Sequence, residues 1–160
     1  MIIFLDFDGV LHPINRSEPD FCRAPLLWKI LRALPTAEVV LSTSWREIYH
    51  HDEMIEFVTR GGGEDLVNRI IGATPERLVE EGAYIHGEYY RRHIECKLWL
   101  IGNNQQNRPW LAIDDIARWF PPNSPNLHVT NANIGLTEND VEQIIAKLRT
   151  EPSIFGLPLC

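Results

Sequence analysis

Apolar positions along the chain follow two alternating patterns. Short unbroken runs occur at Ile2-Ile3-Phe4-Leu5, Val39-Val40-Leu41 and Trp110-Leu111-Ala112-Ile113. Their length and content suit strands covered on both faces. Val67 to Ala73 predicts a further strand, and Leu127 to Thr130 a fifth. Between the runs the period changes. Leu26, Leu27, Ile30, Leu31 and Leu34 recur at helical spacing, and Pro35 stops that helix. Arg46 to Arg60 predicts a second helix, with Ile48, Ile55 and Phe57 among its apolar residues, ended by Gly61-Gly62-Gly63. Arg92 to Ile101 predicts a third, with Ile94, Leu98 and Ile101 on one stripe. Thr137-Glu138-Asn139-Asp140 reads as the capping sequence of a last helix through Leu148.

Strands alternating with helices imply a three-layer α/β fold with a mainly parallel sheet. In such sheets ligands lie beyond the carboxyl ends of the strands. Three of the runs end in chemically active residues: Asp6-Phe7-Asp8-Gly9, Ser42-Thr43-Ser44-Trp45-Arg46 and Asp114-Asp115. Grouped carboxylates repel one another and need a cation, a proton or a donor to hold them together. Hard oxygen donors without a thiol cluster favour Mg²⁺ over zinc.

The Asp6-x-Asp8 spacing has a mechanical reading. Asp6, at the strand tip, can point into the crevice as a nucleophile toward phosphorus. Gly9 lets the chain turn sharply, so that Asp8 folds back over the same space. Asp8 can then protonate the leaving oxygen and later activate water. The carboxylates of Asp6, Asp8 and Asp114 are expected to share a single cation. Hydroxyl and N–H groups after the second strand can hold phosphoryl oxygens, with Thr43 chosen over Ser42 and Ser44. Gly9, Ser44 and Arg46 are the substrate-binding candidates. A cation must orient Asp6: Arg92 is favoured over Lys97, because the start of that helix lies nearer the site side.

These motifs resemble the haloacid dehalogenase (HAD) superfamily. Asp6-Phe7-Asp8-Gly9-Val10-Leu11 matches its first motif, Val39-Val40-Leu41-Ser42-Thr43 its second, and Leu111-Ala112-Ile113-Asp114-Asp115 its fourth. The third, a Lys or Arg, is Arg92 or Lys97. The resemblance implies a Rossmann-like core and Mg²⁺-dependent phosphoryl transfer. It makes Asp6 the nucleophile and Asp8 the acid/base. Its metal ligands would be the Asp6 side chain, the Asp8 backbone carbonyl and Asp114. An acid at position 8 resembles the phosphatase and phosphomutase branches. Ser44-Trp45-Arg46 is similar to a small subgroup, some of whose relatives are associated with RNA repair. The short spacer from Leu11 to Val39 leaves little room for a cap, so one domain over residues 1–160 is expected, with residues 74 to 91 as at most a small flap.

Several features also have a plain structural reading. Asp114-Asp115 can cap the segment Ile116 to Phe120, and Asp115 is as readily a cap as a ligand. Trp45 is core or a substrate platform. Arg46 grips phosphate or pairs with a structural acid. His12 faces the site or sits in a turn. His50-His51 reads as a solvated helix face.

Composition narrows the function. The 160 residues carry a net charge of -7, which repels polyanions. A basic face, as nucleic-acid or anionic-membrane binders show, is confined to a candidate patch at Arg91, Arg92 and His93. The three cysteines, Cys22, Cys96 and Cys160, are scattered, as in a reduced, cytoplasmic protein. The apolar start is too short for a signal peptide or a span. The expected function is a Mg²⁺-dependent phosphatase acting through an aspartyl-phosphate on a nucleotide or small phosphorylated metabolite. The alternatives are a nucleic-acid end-processing phosphatase and a non-catalytic, receiver-like phosphate sensor. The late position of Asp114-Asp115 disfavours the receiver.

Overall fold

The computed structural model describes residues 1–75 and 90–150. Most of the flap expected over residues 74 to 91 lies outside them. Twelve elements alternate in the order the sequence implies. The strands are β1 (Ile2–Leu5), β2 (Glu38–Leu41), β3 (Ile70–Ala73), β4 (Trp110–Asp114) and β5 (Leu127–Val129). The helices are α1 (Ala24–Ala33), α2 (His51–Thr59), α3 (Arg91–Gly102) and α4 (Glu138–Thr150). Three short 3₁₀ segments cover Ser44–Glu47, Glu64–Arg69 and Ala117–Trp119. No helix among the described residues is long and apolar enough to cross a membrane.

The sheet order is β3-β2-β1-β4-β5 and every pairing is parallel. This is a Rossmann-like α/β architecture. Side chains alternate across the sheet, and the alternation sorts them into two cores. Ile3, Leu5, Val39, Leu41, Leu111 and Ile113 pack toward α1, α2 and α4. Ile2, Phe4, Val40, Trp110 and Ala112 pack with Cys96, Trp99 and Leu100 of α3. β1, β2 and β4 are buried on both faces, which is why they read as unbroken apolar runs.

Two boundaries differ from expectation. The helix expected over Arg46 to Arg60 is two elements. Thr43 caps a 3₁₀ turn over Ser44–Glu47, accepting the Trp45 N–H. The chain then extends at His50 (ψ 155°) and restarts as α2 with a capping box between His50 and Glu53. Ile48, counted as an apolar helix residue, falls in the break and is 78 % exposed.

The strand expected over Val67 to Ala73 begins only at Ile70, because Glu64–Arg69 is 3₁₀. Arg69 explains the detour. Its guanidinium donates to the carbonyls of Leu31, Leu34 and Ala37, tying the end of α1 and the start of β2 to this segment. Arg69→Met should therefore lower the unfolding free energy by about 1–3 kcal/mol in urea titrations, with turnover per folded molecule unchanged.

Candidate functional site

The register of the sheet builds the site. Leu5 pairs with Leu41 on one side and Ile113 on the other. The ladder runs one step further: Asp6 N–H donates to Ile113 O at 3.1 Å, and Ser42 N–H to Leu5 O at 2.7 Å. The carboxyl ends of β1, β2 and β4 therefore bring Asp6, Ser42–Thr43 and Asp114 to one crevice. Alternation turns Asp6 and Asp114 toward the face covered by α3, as it does Phe4 and Ala112 before them. From the first turn of that helix comes Arg92.

Asp6, Asp114 and Asp115 each offer an oxygen within 4.8 Å of the others. Asp6 and Asp114 are buried, while Asp115 is half-buried. Burial, followed by repulsion from Asp6, pushes the Asp114 carboxyl up to about 8. Burial likewise raises Asp6 to about 6, against the nearby charge of Arg92, the Phe7 N–H and the Thr43 hydroxyl. Asp115 is raised by burial and by repulsion from Asp8. Gly9 makes room for the third carboxylate. Its φ is +70°, and a Cβ there would lie 2.6 Å from the Asp115 carboxyl.

Arg92 is the charge that faces this group. Its Nη2 lies 3.8 Å from Asp6 Oδ1 and its Nε 4.0 Å from Asp114 Oδ2, and the side chain is 5 % exposed. These are ion pairs too long to be hydrogen bonds. Nε and Nη1 have no hydrogen-bond partner among the described residues. A buried guanidinium with unused donors suits an incoming anion. Lys97, the other candidate, is exposed and borders a cavity with Arg108, Pro109 and Trp110 at the opposite, amino end of β4.

The carboxylate of Asp8 does not join the acidic group, where sharing with Asp6 and Asp114 was expected. It turns to His12, whose Nε2 lies 3.0 Å from Oδ1, and to Trp45, whose indole N–H donates to Oδ2 at 2.8 Å. The bond to His12 holds its carboxyl below the ordinary range, helped by Trp45 and Arg16. Asp115 takes the third place. Local sequence could not separate the two acids, because both follow a strand tip within two residues.

The remaining candidates are spread along the turn after β2. The Thr43 hydroxyl faces Asp6. Ser42 is buried beside the Cys96 thiol, and Ser44 is exposed at the start of the 3₁₀ turn. Arg46 donates to the Thr43 carbonyl and, at 3.1 Å, to Glu95 Oε2. Glu95 is a residue the sequence reading passed over. It is fully buried and faces three guanidinium groups, with Arg91 at 3.0 Å, Arg46 at 3.1 Å and Arg92 at 3.5 Å. Its spacing from Arg91 (i,i+4) and Arg92 (i,i+3) was the available signal. Arg92 is buried and Arg91 pairs with Glu95, so the candidate patch at Arg91, Arg92 and His93 is not one open basic face. His50 and His51 lie with Arg46, Tyr49 and Thr74 around a recess of about 410 Å³ beside the ends of β2 and β3.

Three crowded carboxylates facing one guanidinium fit a hard divalent cation bound through oxygen. The raised carboxyls also set a pH dependence. The folded protein holds protons that the unfolded chain releases near pH 4, so its stability falls as pH rises from about 4 to about 8, most steeply below about 6, where both groups contribute. Melting temperature without a divalent cation should drop over that window. Added cation should restore it, with a larger rise at pH 8 than at pH 5, as read by thermal melts at matched ionic strength.

Comparison with known proteins agrees with this geometry. No curated protein and no solved structure matches the chain significantly. A family model does, described as the HAD domain in Swiss Army Knife RNA repair proteins, over residues 2–141. That span contains all five strands and every acid of the crevice, and it places the chain in that family, among the hydrolases of the haloacid dehalogenase superfamily.

Proposed function

We propose that the protein is a Mg²⁺-dependent phosphomonoester hydrolase that works through a phosphorylated Asp6. The observation that carries the reading is the meeting of Asp6, Asp114 and Asp115 within 4.8 Å beside a buried Arg92 with unused donors. One group supplies a nucleophilic oxygen, the others an oxygen-rich cation site, and the guanidinium a seat for phosphoryl oxygens.

Asp6, Asp114 and the backbone carbonyl of Asp8 would hold the ion, with Asp115 beside them. When bound, Mg²⁺ would supply charge neutralisation between the carboxylates and the phosphate. Asp6 Oδ1 accepts the Phe7 N–H at 2.8 Å, which fixes the carboxylate. Its Oδ2 is the oxygen we assign to attack on phosphorus. Arg92 and the Thr43 hydroxyl steady the phosphoryl oxygens and keep Asp6 charged. Asp8, ionised in the free protein, takes up a proton as the phosphate anion approaches and gives it to the departing oxygen, then takes one from the water that cleaves the aspartyl-phosphate. Gly9, Ser44 and Arg46 line the approach.

A nucleotide or a small phosphorylated metabolite is the substrate we favour, given the net charge of -7 and the burial of Arg46 and Arg92 against Glu95. The family's description favours a second reading, a phosphatase of RNA ends. The two differ in salt dependence. An enzyme that grips a polyanion loses affinity steeply with added salt, while a small-metabolite enzyme does so weakly.

Turnover of an aryl phosphate with Mg²⁺ should be abolished by Asp6→Asn. A stable phosphoprotein without turnover would instead mark a phosphate sensor. Screening phosphorylated metabolites against 5′- and 3′-phosphate-ended oligonucleotides, each at low and high salt, should show the metabolites turned over faster and with the shallower salt slope. The reverse ranking would establish the RNA-end reading.

A further inference from the structure

Among the described residues, three side chains contact the Asp8 carboxylate. Oδ2 accepts the Trp45 indole N–H at 2.8 Å. Oδ1 lies 3.0 Å from His12 Nε2 and 3.2 Å from Arg16 Nη2. The His12 tautomer follows from its other nitrogen. The Phe21 backbone N–H donates to Nδ1 at 3.2 Å, so in the neutral ring Nε2 carries the proton and donates to Asp8. His12 is fully buried, whereas Arg16 is 49 % exposed and contributes little fixed geometry.

Trp45 is itself held on several sides. Its ring meets Phe7, Phe21 and Phe57 edge-on, with centroids 5.7, 5.2 and 6.1 Å away, and Tyr49 stacks on it at 5.2 Å. The backbone of the same turn is tied to the site as well, since Trp45 N–H donates to Thr43 Oγ1. The single polar atom of the Trp45 side chain is thus committed to an acid 37 residues away.

We propose that Trp45 is a positioning residue for the reaction: its indole N–H, with His12 on the other oxygen, sets the Asp8 carboxyl in the orientation that transfers protons. The inference rests on the reading of Asp8 as the acid/base. In the first step the Asp6–phosphorus bond forms and the bond to the leaving oxygen breaks. The electron pair stays on that oxygen, which takes the Asp8 proton. In the second, water oxygen bonds to phosphorus, the Asp6–phosphorus bond breaks, and a water proton returns to Asp8. The donor on Oδ2 fixes which way the carboxyl faces in both steps.

The test is Trp45→Phe, which keeps an aromatic ring in the cluster and deletes the N–H. Turnover is compared on two esters of similar shape, 4-nitrophenyl phosphate, whose leaving group departs without a proton, and phenyl phosphate, whose leaving group needs one. The expected result is a loss of kcat/KM on phenyl phosphate about tenfold greater than on 4-nitrophenyl phosphate. With 4-nitrophenyl phosphate, a burst of nitrophenolate should precede a slowed steady state, as the aspartyl-phosphate accumulates. Equal losses on the two esters without a burst, or no loss at all, would overturn the proposal and leave Trp45 a packing residue. If the phenylalanine variant melts early, 3-benzothienylalanine at position 45 offers the two-ring shape without the N–H, and the same ratio decides. Asp8→Asn run alongside separates the two levels. An unchanged ester ratio in that variant sinks the acid/base reading itself, whereas a raised ratio there with an unchanged one in Trp45→Phe sinks only the role of Trp45.

Discussion

The parallel, in-register pairing of β1 with β4 sets the electrostatic condition of this molecule. Because Leu5 sits opposite Ile113, the next residues, Asp6 and Asp114, emerge side by side on the same face. Neither can turn away without breaking the strand alternation that buries Phe4 and Ala112. Like charges are thus forced together at a buried strand end, and burial raises both carboxyl groups. Asp115 adds a third carboxylate against Gly9. Against these stands one guanidinium, that of Arg92. The shortage of positive charge is what suits the crevice to a cation.

Arg92 in turn depends on Glu95. A guanidinium this deeply buried is costly unless paired, and its distances to Asp6 and Asp114 are too long for hydrogen bonds. Glu95 lies one helical turn on and faces Arg46 and Arg91 as well. The result is an alternating chain of charges from Asp6 through Arg92 and Glu95 to Arg46. It links α3 to the turn after β2. Buried ion pairs of this kind add little net stability, and their value lies in fixing where each charge points.

The turn after β2 serves both acids of the DxD motif. Thr43 faces Asp6, while two residues on Trp45 reaches Asp8. A tight 3₁₀ turn brings them to the same crevice, and the break at Ile48 to His50 lets α2 pack separately on the core. Had the helix run unbroken from Arg46, its register would have fixed these side chains for helix packing. The interruption is therefore part of how the site is built.

The succession of strands and helices, the acids at strand tips and the favoured cation could all be read from residues near one another in the chain. Unbroken apolar runs mark strands buried on both faces. A helix following a strand in a parallel sheet starts on the site side, and that places Arg92 rather than Lys97 at the carboxylates. Local pattern could not decide what depends on contacts between distant segments. It could not turn the Asp8 carboxylate toward Trp45, 37 residues away. It could not tell that Asp115 fits against Gly9, or that Glu95 neutralises Arg46. Arg69 likewise held its segment out of the sheet by tying it to the end of a helix more than thirty residues earlier. Short-range spacing fixes which side chains share a face, whereas the direction of a polar side chain is set by whichever buried donor or acceptor the fold brings within reach.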